Sequence, residues 1–320
     1  MKSSTSSARV TKLSGLGLLF TMCMGYGSRA QDLRPRAYLI TPGHSNALIL
    51  GYSFNEGSIF FGTALPITND SGKYSVPSIS YYHTLSLFGR SANFTATLRY
   101  VVGNFQGNVS GKEERIHRSG LADSLFRFSV NLHGGPAMSP EDFAKWRQKT
   151  ILGAGVSLAA PTGQYDPGHL VNPGTNRWAF KAELGLSQRW RNWILDGYAG
   201  VWFFASNTNY LTNSQFSQSR NTLAQDPIGA FEVHLSYDVK PRLWFSVDGN
   251  YWYGGSTTVD GVFKNGSIQA NSRIGVTASI PISKHQPLKF AYSDGTLTRF
   301  GGTFKTGSLA CQYSWLGRPD

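Results

Sequence analysis

The chain is expected to fold as an all-β, transmembrane, antiparallel up-and-down β-barrel of about twelve strands, preceded by a cleaved signal peptide. Three observations predict this. Side chains alternate between apolar and polar with a period of two in about twelve successive segments, as they do when neighbours on a strand point to opposite faces. The polar face of many segments carries charges. The connections alternate between long and short in the order that an outer-membrane barrel requires.

Residues 1–30 read as the signal peptide: Lys2, Arg9 and Lys12 form a basic start, Leu13 to Met24 an apolar middle, and Ser28-Arg29-Ala30 a small-residue site before a cut at Gln31. Residues 31–45 are expected as a periplasmic N-terminal segment that is a possible plug, 46–315 as the barrel, and 316–320 as a C-terminal extension. Beyond the leader no apolar run reaches about 18 residues, so no transmembrane helix is expected. Of the 320 residues, 30 are Lys or Arg and 18 Asp or Glu. Removing the leader's four cations leaves 26 basic residues and a net charge of about +8. Such an excess suits anionic solutes or lipid headgroups, and equally suits a basic surface without a specific partner. Cys311 alone remains after cleavage, which excludes an intramolecular disulfide.

The strands are expected at 46–55, 75–88, 91–102, 122–132, 149–160, 177–190, 193–205, 228–239, 242–254, 270–282, 287–293 and 306–315. Long loops are expected at 56–74, 103–121, 161–176, 206–227, 255–269 and 294–305. Most even-numbered strands end in tight turns, such as Gly89-Arg90 and Arg191-Asn192. One even connection is longer, at 133–148. It holds Ser139-Pro140-Glu141-Asp142, a helix start with serine as cap and proline in the first turn, so a short periplasmic helix is expected there.

Register follows from energy. Phe231, Val233, Leu235, Tyr237 and Val239 share one face of 228–239, and Glu232, His234, Ser236 and Asp238 the other. A slip of one residue would put the charges into hydrocarbon, at roughly 2–4 kcal/mol for each Lys or Arg at the midplane and less for acids. Trp178, Phe180, Ala182, Leu184 and Leu186 therefore point out, while Arg177, Lys181 and Glu183 point in. Phe94 to Tyr100 and Ile274 to Ile280 sort the same way, with Arg99 and Arg273 inside. Aromatic residues at strand ends, among them Trp190, Trp193 and Trp315, suit the membrane interfaces.

Several motifs are familiar. Phe88-Gly89-Arg90-Ser91, Ser119-Gly120-Leu121-Ala122-Asp123, Pro161-Thr162-Gly163-Gln164-Tyr165-Asp166-Pro167 and Asn172-Pro173-Gly174-Thr175-Asn176-Arg177-Trp178-Ala179-Phe180-Lys181 carry the likeness. Gln225-Asp226-Pro227, Tyr253-Gly254-Gly255 and Gln312-Tyr313-Ser314-Trp315 continue it. The mature chain resembles the outer-membrane transporter family associated with the meta-pathway of phenol degradation, over most of residues 35–315. The resemblance implies a barrel in the outer membrane of a Gram-negative bacterium and passage of small aromatic compounds. It also implies insertion by the barrel assembly machinery, although here Leu316-Gly317-Arg318-Pro319-Asp320 follows the aromatic residue that usually ends such chains.

Inside the expected lumen, Arg99, Arg127, Lys181 and Arg273 face Asp123, Glu183, Asp196, Glu232, His234 and Asp248. Such a wall either lines a polar solute pathway or forms a salt-bridged network that fills the barrel, since twelve strands lie between packed eight-strand barrels and open porins. Arg177 and Lys181 are the first choices for a basic constriction near the mouth. The expected function is an outer-membrane channel for small, aromatic or hydrophobic solutes, with membrane lipid and solute as partners. The alternatives are a non-conducting scaffold, adhesin or receptor acting through its loops, motivated by the polar stretch 206–224, and a barrel enzyme acting on lipid. No catalytic set, cofactor or metal site is expected: the seven histidines show no ligand-like spacing, and His234 with Ser236 lacks a nucleophile elbow. Nucleic-acid binding is not indicated, because the aromatics alternate with apolar residues rather than with lysine or arginine.

Overall fold

A computed structural model describes residues 33–60, 67–109, 112–169, 171–211, 219–283 and 286–317. The leader 1–30, part of the polar stretch (212–218) and the last three residues lie outside the described residues.

The strands, in chain order, are β1 (Ser45–Phe60), β2 (Ile67–Leu87), β3 (Arg90–Val109), β4 (Lys112–Leu121) and β5 (Ser124–His133). After helix α1 (Pro140–Lys145) come β6 (Thr150–Ala160), β7 (Ala179–Trp190), β8 (Trp193–Phe204), β9 (Asn207–Tyr210), β10 (Asn221–Gln225) and β11 (Ile228–Lys240). The last are β12 (Leu243–Gly254), β13 (Thr257–Val259), β14 (Val262–Phe263), β15 (Gln269–Pro281), β16 (Pro287–Leu297) and β17 (Gly301–Leu316). Each barrel strand pairs antiparallel with the next in sequence, and β1 closes the ring by pairing with both β2 and β17. Strand β3 pairs with β5 through Ala92–Thr97 and with β4 through Tyr100–Val109. β4 and β5 are therefore one crossing, broken at Ala122-Asp123, and the barrel is twelve-stranded.

The alternation expected from sequence is present on the wall. From Ala179 to Ser187, β7 alternates buried and exposed residue by residue, with Phe180, Leu184 and Leu186 outside and Lys181 and Glu183 inside. Val247, Ile274 and Leu98 are also more than half exposed on the outer surface. A closed ring leaves no unpaired edge in the hydrocarbon, and an apolar belt around a polar interior makes this an outer-membrane barrel.

The tight turns are where the sequence places them. Phe88 and Gly89 both take positive φ (49° and 74°), as a two-residue hairpin between β2 and β3 requires. Helix α1 is capped by Ser139, whose hydroxyl accepts from Asp142 N at 3.1 Å.

The long loops depart from expectation. Most of 56–74 and all but two residues of 103–121 continue as strands: β1 runs on to Phe60, β2 starts at Ile67, and β3 and β4 form a hairpin above the belt. Water bathes both faces at the tip of that hairpin, while lower down Phe105 is buried. Lys112 to Arg115 are all exposed, so nothing imposes an apolar alternation to be read. The strand expected at 122–132 starts instead at Ser124, and that expected at 177–190 starts at Ala179, leaving Arg177 and Trp178 in the preceding loop. The segments 206–227 and 255–269 contain β9, β10, β13 and β14, a separate four-stranded sheet over the mouth. Under it a cluster of buried residues, including Phe105, Tyr210, Leu223, Val259, Phe300 and Phe304, caps the lumen on the loop side.

Candidate functional site

The lumen is divided. Along the wall from β5 to β12 it is filled by charged side chains and by residues 33–44, which enter the barrel from the turn side. Along β1–β3, β16 and β17, and reaching across to Leu125, Lys181 and Trp202, it stays hollow.

The filled half is built around two carboxylates. Glu183 on β7 and Glu232 on β11 are inward-facing positions two strands apart. Arg34 reaches from the N-terminal segment to both, at 2.5 Å to Glu183 and 2.7 Å to Glu232. Lys181 Nζ lies 2.5 Å from Glu183 and 3.3 Å from Glu232, and Arg127 from β5 lies 3.4 Å from Glu183. The Tyr38 hydroxyl donates to Glu183 at 3.0 Å. One layer below, Arg36 pairs with Asp238 at 2.7 Å while its backbone N–H donates to Asp196 at 3.1 Å. His234 Nδ1 lies 2.8 Å from Asp248, which also accepts from Ser246 and Thr277. Charges removed from water need such partners, because an isolated buried ion is several kcal/mol unfavourable (an order-of-magnitude figure).

The N-terminal segment is fixed by shape as well as charge. Tyr38 is 1% exposed and packs edge-on against Tyr198. Its ring rests on Gly153 and Gly185, directly paired residues of β6 and β7. The Thr41 hydroxyl bonds Thr84 at 2.6 Å and Tyr82 at 3.0 Å on the opposite wall.

The hollow half holds two chambers in series. The outer, about 310 Å³, is walled by small side chains, including Gly51, Ser53, Ser308 and Ala310, with Tyr74, Arg99 and Arg273 facing it. The inner, about 460 Å³, is walled by Ile49, Tyr82, Leu125 and Trp202 together with Leu39 of the N-terminal segment. Thr97 and Arg99 border both, so the two spaces meet at this point of β3. A third hollow of about 510 Å³ lies on the lipid side, among Phe245, Val276 and Phe290, and is not part of the lumen.

The residues predicted for the pathway separate into three groups. Arg99, Arg127, Lys181 and Arg273 border the chambers. Glu183, Asp196, Glu232, His234 and Asp248 lie behind them, each no more than 7% exposed, engaged in the network. Asp123 and Arg177 border neither chamber. Asp123 sits in the β4–β5 break and holds the third loop, accepting from Gly163 N, Thr175 N and Thr175 Oγ1. Arg177 is buried in the same loop, 2.5 Å from Gln225 and 4.8 Å over the Phe204 ring. In that loop Tyr165 donates to Asn209 O, and burial pushes its phenol up to about 12, so it stays protonated. Sequence reasoning missed Lys289 on β16, which borders the inner chamber. Its inward parity with Ala291 and Ser293 was the available signal.

His234 and Asp248 form a dyad, but the other ring nitrogen faces Glu232 at 3.5 Å rather than a nucleophile. The Ser236 hydroxyl makes no hydrogen bond among the described residues.

Comparison with known proteins adds the following. The family model described as "Putative MetA-pathway of phenol degradation" matches residues 71–299. In structure the chain is similar to the COG4313 outer membrane channel from Pseudomonas putida F1, with TM-score 0.72 and 16% identity over 89% of this chain and 100% of that one. It is more distantly similar to the translocator domain of the autotransporter NalP from Neisseria meningitidis, with TM-score 0.49 and 10% identity over 90% of this chain and 94% of that one. For a monoaromatic hydrocarbon channel, a TodX loop-deletion mutant, the TM-score is 0.46 with 9% identity over 87% and 91%. None of the curated proteins matches the sequence.

Proposed function

The chain belongs to the family described by the MetA-pathway of phenol degradation, and from that premise we propose that it is an outer-membrane channel for small aromatic or otherwise hydrophobic solutes. The observation that carries this is the pair of chambers that share Thr97 and Arg99 on their walls, which leaves one side of the lumen hollow at two successive levels. Volumes of about 310 and 460 Å³ suit molecules of one or two rings, at the lower end of ordinary ligand pockets. The apolar part of the inner wall, Ile49, Leu125 and Trp202 among it, favours such solutes, and Arg99, Arg127, Lys181 and Arg273 are the cations they meet.

In this reading residues 33–44 act as a plug, narrowing the turn side, while the loop cluster caps the other end. The protein acts by passage rather than by catalysis. Its insertion partner is the barrel assembly machinery, which takes hold of β17. The test is flux of a neutral aromatic solute such as benzyl alcohol into proteoliposomes. Entry above that of protein-free vesicles supports a channel. Sealed vesicles, with and without the Tyr38→Ala change that frees the segment, leave a scaffold or receptor acting through its loops.

A further inference from the structure

The two chambers have walls of one sign. Arg99 and Arg273 border the outer one; Arg34, Arg36, Arg99, Arg127, Lys181 and Lys289 border the inner one; among the described residues no aspartate or glutamate borders either. The carboxylates of the filled half are engaged by partners there. Glu183 and Glu232 are held by Arg34 and Lys181, Asp238 by Arg36 and Arg189, and Asp248 by His234, Ser246 and Thr277. Most chamber cations are therefore balanced from behind.

Two are not. Arg99 makes no side-chain hydrogen bond or ion pair among the described residues, and its Nε is buried without a partner. Lys289 has no hydrogen bond or ion pair among them either; the Trp244 ring lies 5.9 Å from its ammonium, and the charges that act on it from further off are Asp248 and, opposing it, Arg36. A cation withdrawn from bulk water without a direct partner is unfavourable, so these two positions are sites where an anion gains. Guanidinium offers a planar, two-pronged match to a carboxylate, and ammonium a mobile point charge. Around them the wall is mixed: Leu39, Ile49, Leu125 and Trp202 give the inner chamber apolar surface, beside Asn93, Thr95, Ser157 and Gln312.

We propose that the pathway takes amphipathic monocarboxylates, an anionic head on an aromatic or apolar body, with Arg99 and Lys289 receiving the carboxylate in the inner chamber. This rests on the channel reading for its biological sense, but not for its test. Arg99 is placed where a solute passes from one chamber to the other, so the same guanidinium meets the head group from both sides.

The experiment measures equilibrium binding of benzoate and of its neutral analogue benzamide to the folded, detergent-solubilised barrel by calorimetry. Benzoate is expected to bind at least about tenfold more tightly than benzamide, the scale of one charge-assisted contact. The Arg99→Gln/Lys289→Gln variant is expected to lose that preference while keeping benzamide binding, with barrel folding verified by heat-modifiable gel mobility. Equal binding of the two solutes, or a benzoate preference that survives in the variant, overturns the proposal. Inorganic phosphate displacing benzoate at equal concentration also overturns it, because the site would then read charge alone. Flux of the same solutes into proteoliposomes is scored separately: selective binding without flux of either solute refutes the channel and leaves the site.

Discussion

The Tyr38 ring occupies the space that a side chain at Gly185 would need: a β-carbon built there lies 2.1 Å from the ring, and one at Gly153 the same distance. Two glycines facing each other across β6 and β7 thus make a notch in the barrel wall, and the N-terminal segment is seated in it. The segment's position is set by a shape on the wall as well as by Arg34.

Filling the notch should release the segment. Gly185→Ala puts a methyl group into the ring, and overpacking of this kind costs about 1–3 kcal/mol. The strands themselves tolerate alanine, so the barrel should keep its heat-modifiable mobility. A cysteine introduced at Ala37 should become reactive towards a water-soluble maleimide in Gly185→Ala while remaining protected in the parent. Equal protection in both would show that the notch does not hold the segment.

The two sides of the ionic network should respond unequally. Glu183 accepts from Arg34, Lys181, Arg127 and Tyr38. Glu183→Gln leaves three cations around Glu232 alone, and breaking a buried pair by removing one partner costs about 3–5 kcal/mol. Arg34→Ala removes a cation held on a displaceable segment, and Lys181 still bridges both glutamates. Thermal unfolding in detergent should rank Glu183→Gln well below Arg34→Ala in stability. The reverse order would mean that the segment, rather than Lys181, neutralises the pair.

Sequence reasoning reached the parity of the wall because hydrocarbon on one side and water on the other force an alternation. It did not reach Asp123 or Arg177 correctly as to place. Both have lumen-facing parity if the strands are continued, yet the crossing breaks at Ala122-Asp123 and β7 begins at Ala179. What each charge touches there, Thr175 and Gly163 for one and Gln225 and Phe204 for the other, is set by loops distant in sequence. Nor does parity tell a cation with a partner from one without. Arg127 and Arg99 have the same inward pattern, and it is the position of Glu183 two strands from Arg127 that separates them.

Asp123 should behave as a latch for the third loop. Its two oxygens accept from Gly163 N at 3.1 Å, Thr175 N at 3.1 Å and Thr175 Oγ1 at 2.5 Å. Asp123→Ala leaves buried donors unsatisfied, at about 1–3 kcal/mol each. Trypsin should then cut at Arg177, which is only 2% exposed in the intact loop. Persistence of the uncut chain under conditions that degrade no other part would assign the latch to the Gln164–Leu121 backbone pairing instead.

The lipid belt can be tested by charge at a single depth. Val247 is 64% exposed near the middle of β12, and Ser246 beside it faces inward at 5%. Val247→Lys should lower the stability of the barrel in vesicles by about 2–4 kcal/mol, the cost of a lysine at the midplane. The reverse change at Lys305, which already carries that charge on the outward face of β17 above the belt, is the internal reference: Lys305→Val should shift stability by less than about 1 kcal/mol, as for residues near the interface. Urea titration of tryptophan fluorescence in vesicles reads both. Similar small effects at the two positions would show that Val247 is not in contact with hydrocarbon, and the assigned register of β12 would have to move by one residue.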